Sequence, residues 1–202
     1  MIKIFAAPIN YTLDTLYEKE PGEILIGVDK GAVHAVEYGL TLDYVLGDFD
    51  SISDREFDML KNHAKNIERF KVRKDKTDSD LAITKALSID EDAKIILYGG
   101  IGSRLDHTYG NLLMLRRGNI TMVTDNQKAR VLKPGAHTIA HGYEYLSFFA
   151  IGDVKNLSLK GFSFELDGYE LSETDPLCIS NKGDGTVRFD EGRLLMIASN
   201  DQ

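Results

Sequence analysis

The chain has no tryptophan, one cysteine and four prolines among 202 residues. Nor does it have any run near the roughly 20 apolar residues that a membrane-spanning helix needs. A single thiol, Cys178, excludes an internal disulfide, and in a β-rich segment it reads as a small buried hydrophobe rather than a nucleophile. The expected location is therefore the reducing cytoplasm. The opening MIKIFAAPINYTLD carries one early lysine and a short apolar run that ends in polar residues, and no signal peptide is expected from it. Basic residues are the scarcer charge. The 24 Lys and Arg against 32 Asp and Glu leave a net charge of −8, which argues against nucleic acid as a partner. An acidic chain can still bind a nucleoside triphosphate where metal ions screen its carboxylates. Repeats and low-complexity tracts are absent. With 43% hydrophobic and 28% charged residues the composition is that of a globular protein, with one large or two modest domains.

What is present falls into two rhythms. Up to about residue 125, apolar strand-like runs (Ile2 to Ala6, Ile24 to Val28, Tyr44 to Leu46, Ile67 to Phe70, Lys94 to Tyr98, Ile120 to Val123) alternate with helix-like segments such as Arg55 to His63, Leu81 to Leu87 and Asn111 to Arg116. That order predicts an α/β fold, a mostly parallel sheet with helices on both faces. From residue 127 the helical period stops. Short strands are punctuated by Lys133-Pro134-Gly135, Ile151-Gly152-Asp153, Leu166-Asp167-Gly168, Gly183-Asp184-Gly185 and Asp190-Glu191-Gly192, which predicts hairpins and a small antiparallel β-sandwich. The expected domains are 1–126 and 127–202.

Open α/β sheets collect ligands at the carboxyl ends of their strands. The residues that follow the apolar runs are acidic here. Asp29 follows one run, and Asp48 and Asp50 follow the next. Residues two apart on an extended backbone point the same way, so Asp48 and Asp50 suit a hard divalent cation; a capping aspartate beside a solvated one fits the same spacing. Lys74, Asp75, Lys76, Thr77, Asp78, Ser79 and Asp80 open a helix, with Thr77 and Asp80 as a capping pair and Asp78 a candidate for metal or phosphate contact. The run Gly99-Gly100-Ile101-Gly102-Ser103-Arg104-Leu105-Asp106-His107 lies between a strand and a helix that carries Asn111. That setting suits phosphate, although the run matches neither the dinucleotide fingerprint nor the Walker A loop. His137 and His141, in a β segment, read as structural.

Together Val28-Asp29-Lys30-Gly31-Ala32, Gly47-Asp48-Phe49-Asp50-Ser51, Lys76-Thr77-Asp78-Ser79-Asp80 and Gly99 to His107 resemble the thiamine pyrophosphokinase family, over nearly the whole chain. The resemblance implies an ATP-binding α/β domain, a thiamine-binding β-sandwich and a homodimer with shared active sites. It implies Asp48, Asp50 and Asp78 as catalytic and Mg²⁺-binding carboxylates. Asp29, Lys74, Thr77, Gly100, Arg104, Asp106, His107 and Asn111 would contact ATP, and Ser180 and Asn181 would contact thiamine. Lys30, Ser103 and Lys182-Gly183 depart from the family's common residues. Two other readings stay open on the residues alone. One is a phosphatase using an aspartyl nucleophile in Asp48-Phe49-Asp50-Ser51, and the other is a non-catalytic thiamine or nucleotide sensor.

Overall fold

Six strands of the amino-terminal half lie side by side and all run in the same direction. They are β1 (Ile2–Ala6), β2 (Ile24–Val28), β3 (Leu42–Gly47), β4 (Ala64–Arg69), β5 (Lys94–Gly99) and β6 (Asn119–Val123), in the spatial order β4-β3-β2-β1-β5-β6. The structure is a computed structural model that describes residues 1–70, 76–102, 104–140 and 142–201. It divides the chain into two units, Met1–Asp125 and Asn126–Gln202.

Strands with a helix on each side must be apolar on both faces, and all five residues of β1 are buried. Helices α1 (Lys30–Glu37) and α2 (Asp54–His63) cover one face, where Ala32, Val33, Val36 and Leu60 pack against Phe5, Leu25 and Val45. Helix α3 (Asp78–Ile89) packs on β1, β2 and β3 apart from that cluster, with α4 (Leu105–Met114) beside it. Between β1 and β2 the chain crosses the first face and is fastened by a buried charge. Lys3, 1% exposed, pairs with Glu23 at 2.6 Å, bonds the Glu18 carbonyl and lies 4.4 Å from the Tyr17 ring centroid.

Some boundaries differ from the sequence expectation. Strand β4 starts at Ala64, ahead of Ile67, because as the outer strand it tolerates the exposed Lys65 and Asn66. Helix α4 begins at Leu105, well before Asn111. Its first turns expose Leu105 and Tyr109, so they show no buried stripe to read. Helix α1 lies outside the three periodic segments named above.

The second unit is antiparallel throughout. Its strands are β7 (Gln127–Leu132), β8 (Gly135–Ile139), β9 (Tyr145–Lys160), β10 (Leu166–Leu171), β11 (Gly185–Phe189) and β12 (Glu191–Ser199). The 16-residue β9 builds both layers. Its first half pairs with β12, which also holds β7, and its second half pairs with β10 and β11, the latter also holding β8. Leu146, Phe148, Leu157, Leu159, Phe189 and Met196 meet in the core between them.

None of the five expected turns joins two strands that pair with each other: Leu166-Asp167-Gly168 opens β10 itself, and Gly183-Asp184-Gly185 and Asp190-Glu191-Gly192 lead into and out of β11, which pairs with β8 and β9. Ile151-Gly152-Asp153 lies within β9, opposite a register shift between Glu191 and Arg193. Gly152 (φ 68°) and Gly192 (φ 91°) take left-handed conformations there, and a Cβ on Gly192 would stand 2.4 Å from the Asp153 carbonyl oxygen. Lys133-Pro134-Gly135 joins β7 to β8, which do not pair with each other but with β12 and β11. Turn chemistry is visible in sequence, whereas the partner of each strand is not.

Candidate active site

In the order β4-β3-β2-β1-β5-β6 the chain reverses direction across the sheet between β1 and β5, and such a switch point opens a crevice at the carboxyl ends of the strands. Registers align those ends at Ala6, Val28, Gly47, Arg69, Gly99 and Val123. Asp29, Asp48, Asp50 and the Gly99–Gly102 run therefore share one edge of the sheet.

The turn after β3 is tightly specified. Asp29, itself at φ 43°, accepts the Phe49 N–H on Oδ1 at 3.3 Å. A Cβ at Gly47 would stand 1.8 Å from that same oxygen, so only glycine leaves room for the Asp29 carboxylate. Phe49 is left-handed at φ 62°, a conformation that costs a bulky residue about 1–3 kcal/mol. Its ring is buried against Phe57, 5.1 Å away between centroids, which helps hold it there. Asp48 Oδ1 accepts the Asp50 N–H at 3.2 Å. Two adjacent residues at the end of β4 also hold it. The Phe70 N–H donates to the Gly47 carbonyl at 2.9 Å, and Arg69 Nε donates to the Asp48 carbonyl at 3.2 Å.

This turn crowds negative charge. A side-chain hydrogen bond to Asp48 and the Asp48 charge raise the Asp50 carboxyl above its ordinary range, with a smaller contribution from the charge of Asp78. Asp78 thus lies within electrostatic reach, at the start of α3, where Thr77 Oγ1 caps the helix by accepting the Asp80 N–H at 3.2 Å. Asp80 turns away to bond Arg117 and Thr84. Among the described residues no three carboxylate, imidazole or thiol groups stand close enough to hold a metal ion by themselves. The Asp48–Asp50 pair nevertheless fits magnesium, which is commonly held by one or two carboxylates and completed by phosphate oxygens and water.

Across the switch point the glycines serve close packing. A Cβ at Gly99 would stand 1.9 Å from the Ala6 carbonyl oxygen, and one at Gly102 would stand 2.5 Å from Pro8 Cγ. Buried Asn111 donates from Nδ2 to the Gly100 carbonyl at 2.7 Å and so pins the loop to α4. Arg104 and Asp106 form a forked ion pair, 2.6 Å at its shorter contact, on the exposed start of α4 beside His107. Lys74 and Ser103 lie outside the described residues.

In the second unit Asn181 is buried. Its side chain donates to the Phe164 carbonyl at 2.8 Å and accepts the Phe164 N–H at 2.9 Å. It thereby fixes the loop that presents the exposed Phe164 ring at the rim of a cavity of about 210 Å³, whose lining includes Leu159, Glu165, Leu166, Leu177, Ile179 and Asn181 itself. Ser180 is exposed and left-handed at φ 59°, and its N–H donates to Ser147 Oγ at 3.1 Å. His137 bonds the Lys133 carbonyl at 2.7 Å and stacks on Phe189, while His141 lies outside the described residues.

Comparison with known proteins covers both units. A family model described as thiamin pyrophosphokinase, catalytic domain, matches residues 17–126, and one described as thiamin pyrophosphokinase, vitamin B1 binding domain, matches residues 136–194. Thiamine pyrophosphokinase of Bacillus subtilis (strain 168) is 32% identical over 209 residues, covering 98% of this chain and 97% of the relative. Crystal structures of thiamine pyrophosphokinases from Bacillus subtilis (29% identical, TM-score 0.87) and Geobacillus thermodenitrificans (30%, TM-score 0.84) each cover 100% of this chain, which spans 99% of theirs. The chain belongs to the thiamin pyrophosphokinase family.

Proposed function

We propose that this enzyme transfers the terminal pyrophosphate of ATP to the hydroxyethyl oxygen of thiamine, giving thiamine pyrophosphate and AMP. The relatives support the overall reaction, and the observation that carries the reading at this chain's own site is the turn after β3, where Asp48 bonds the Asp50 N–H and Asp29 the Phe49 N–H at the carboxyl edge of the sheet. Neither an aspartyl-nucleophile phosphatase nor a non-catalytic sensor finds support among those relatives.

In the proposed reaction the thiamine oxygen attacks the β-phosphorus in line. The bond from that phosphorus to the oxygen bridging to the α-phosphorus breaks, AMP leaves with the electron pair, and the hydroxyl proton passes to a carboxylate or water. Asp48 and Asp50 would hold Mg²⁺ together with phosphate oxygens and water, Asp78 adding its charge from the start of α3, and the ion would supply charge neutralisation along the triphosphate. Positioning and electrostatics then provide most of the acceleration. Arg104 would exchange Asp106 for phosphate oxygens, keeping its fork geometry. His107, Thr77 and Lys74 would line the nucleotide, with Asp29 and Asn111 shaping the two turns and Gly100 offering its backbone. Thiamine would lie against Ser180 and Asn181, with the cavity beside Phe164 supplying an aromatic edge and the Glu165 carboxylate near a cationic ring.

The wider setting is also proposed: a cytoplasmic homodimer with shared active sites. Exposed apolar side chains, Phe164, Leu177 and Ile179 in one unit and Leu105 and Tyr109 in the other, are consistent with association. No helix among the described residues is long and apolar enough to cross a membrane.

The test is a chromatographic assay with ATP, Mg²⁺ and thiamine. The expected result is AMP and thiamine pyrophosphate in equal amounts, dependent on both thiamine and metal. ADP or free phosphate as the nucleotide-derived product would overturn the reading.

A further inference from the structure

Arg69 is the last residue of the outer strand β4 and pairs in register with Gly47 of β3. That register brings it beside the turn that carries Asp48 and Asp50. Nε donates to the Asp48 carbonyl at 3.2 Å, and the guanidinium carbon lies 5.9 Å from the centroid of the Phe49 ring. One side chain thus touches both the backbone of the first carboxylate and the left-handed residue between the two. Left-handed conformations of bulky residues persist only where their surroundings over-determine them. Arg69 is one of those surroundings, together with Asp29 Oδ1 on the Phe49 N–H and Phe57 on its ring. It also brings a positive charge to a strand end where Asp29, Asp48 and Asp50 gather.

We propose that Arg69 is a positioning residue for the Asp48–Asp50 pair, holding the 47–50 turn in the shape that presents both carboxylates to one divalent cation. The inference rests on the reading of that pair as the cation site. Lysine is a poor substitute. Its ammonium offers a single point charge on a flexible stem, whereas the planar guanidinium can donate in plane to the carbonyl while its face lies near the ring.

The experiment uses the full chain as wild type, Arg69→Met, Arg69→Lys and Asp50→Asn. Each is titrated with Mn²⁺ followed by electron paramagnetic resonance of the free ion, with melting temperatures and the Mg²⁺-dependent kcat and KM measured on the same samples. Residues that orient metal ligands typically contribute about 10- to 100-fold to metal affinity. Arg69→Met is expected to weaken Mn²⁺ binding by about that factor and to lower kcat more than it raises KM for thiamine, at a wild-type melting temperature. Arg69→Lys is expected to fall between the two. Wild-type Mn²⁺ affinity in Arg69→Met, with affinity lost in Asp50→Asn, would overturn the role of Arg69 and leave the cation site standing. Equal Mn²⁺ behaviour of wild type and Asp50→Asn would overturn the cation site and this inference with it. Should Arg69→Met melt early, Arg69→Lys decides: weakened affinity at a wild-type melting temperature supports the role, and unchanged affinity overturns it.

Discussion

Single atoms set the geometry of the carboxylate turn. A methyl group at Gly47 would collide with Asp29 Oδ1, the atom that accepts the Phe49 N–H, so Gly47→Ala must either expel the Asp29 carboxylate or bend β3. We expect that variant to fold and to lose most of its AMP-forming turnover, and wild-type turnover would show that the Asp29 bond is dispensable. Cys178 shows the opposite, a residue whose chemistry is suppressed. Burial, with the charge of Asp175 adding to it, pushes its thiol up to about 11, so near pH 8 almost none of it is thiolate. Alkylation of the native protein should therefore be far slower than that of the urea-unfolded chain, and equal rates would contradict its burial.

At the scale of elements, two ties fix the helices and the crossing segment that frame the site. Lys30 at the start of α1 bonds Glu56 at 2.7 Å, and Glu56 closes the capping box of Ser53 at the start of α2. Lys30 first, then the Ser53 backbone and hydroxyl, hold the Glu56 carboxyl down to about 2. A carboxyl depressed in the folded state stabilises it above its ordinary pKa of 4.5, and that contribution is lost as pH falls from there through about 2. Glu56→Gln keeps a capping side chain but loses the charge. It should melt below wild type at neutral pH and converge with it in strong acid, and a gap independent of pH would contradict the assignment. The second tie is the buried Lys3–Glu23 pair. Removing one partner strands the other charge, so Lys3→Met should cost about 3–5 kcal/mol in denaturant unfolding. A loss below about 1 kcal/mol would mean that water reaches Glu23.

The same scale shows what was legible in sequence. The inner parallel strands are legible because they are apolar runs largely buried on both faces, whereas the outer β4 is legible only at its Ile67 end because Lys65 and Asn66 are exposed; the acidic residues after the runs mark the functional edge. What escaped depends on pairing. β9 crosses Ile151-Gly152-Asp153 without turning because it bulges there, taking the four steps from Ile151 to Lys155 where its partner β12 takes the two from Glu191 to Arg193. Arg69 reaches the Asp48 turn because β4 pairs with β3 in a register that no local pattern encodes. The burial of Asn111 and Asn181 was hidden for the same reason. Each satisfies the backbone of a loop distant in sequence, Gly100 for one and Phe164 for the other.

For the whole molecule, the sheet order places acidic strand ends and the glycine run around one switch point, while the β-rich unit offers a rimmed cavity of its own. The family supplies the reaction, and the carboxylate turn is where this chain is proposed to perform it. The most direct test is AMP formation from MgATP and thiamine by Asp50→Asn, in a preparation that melts like wild type. Metal-borne charge stabilisation contributes several kcal/mol to such a transition state, so turnover should fall by at least about a hundredfold. Turnover close to wild type would contradict the placement of the chemistry at this turn.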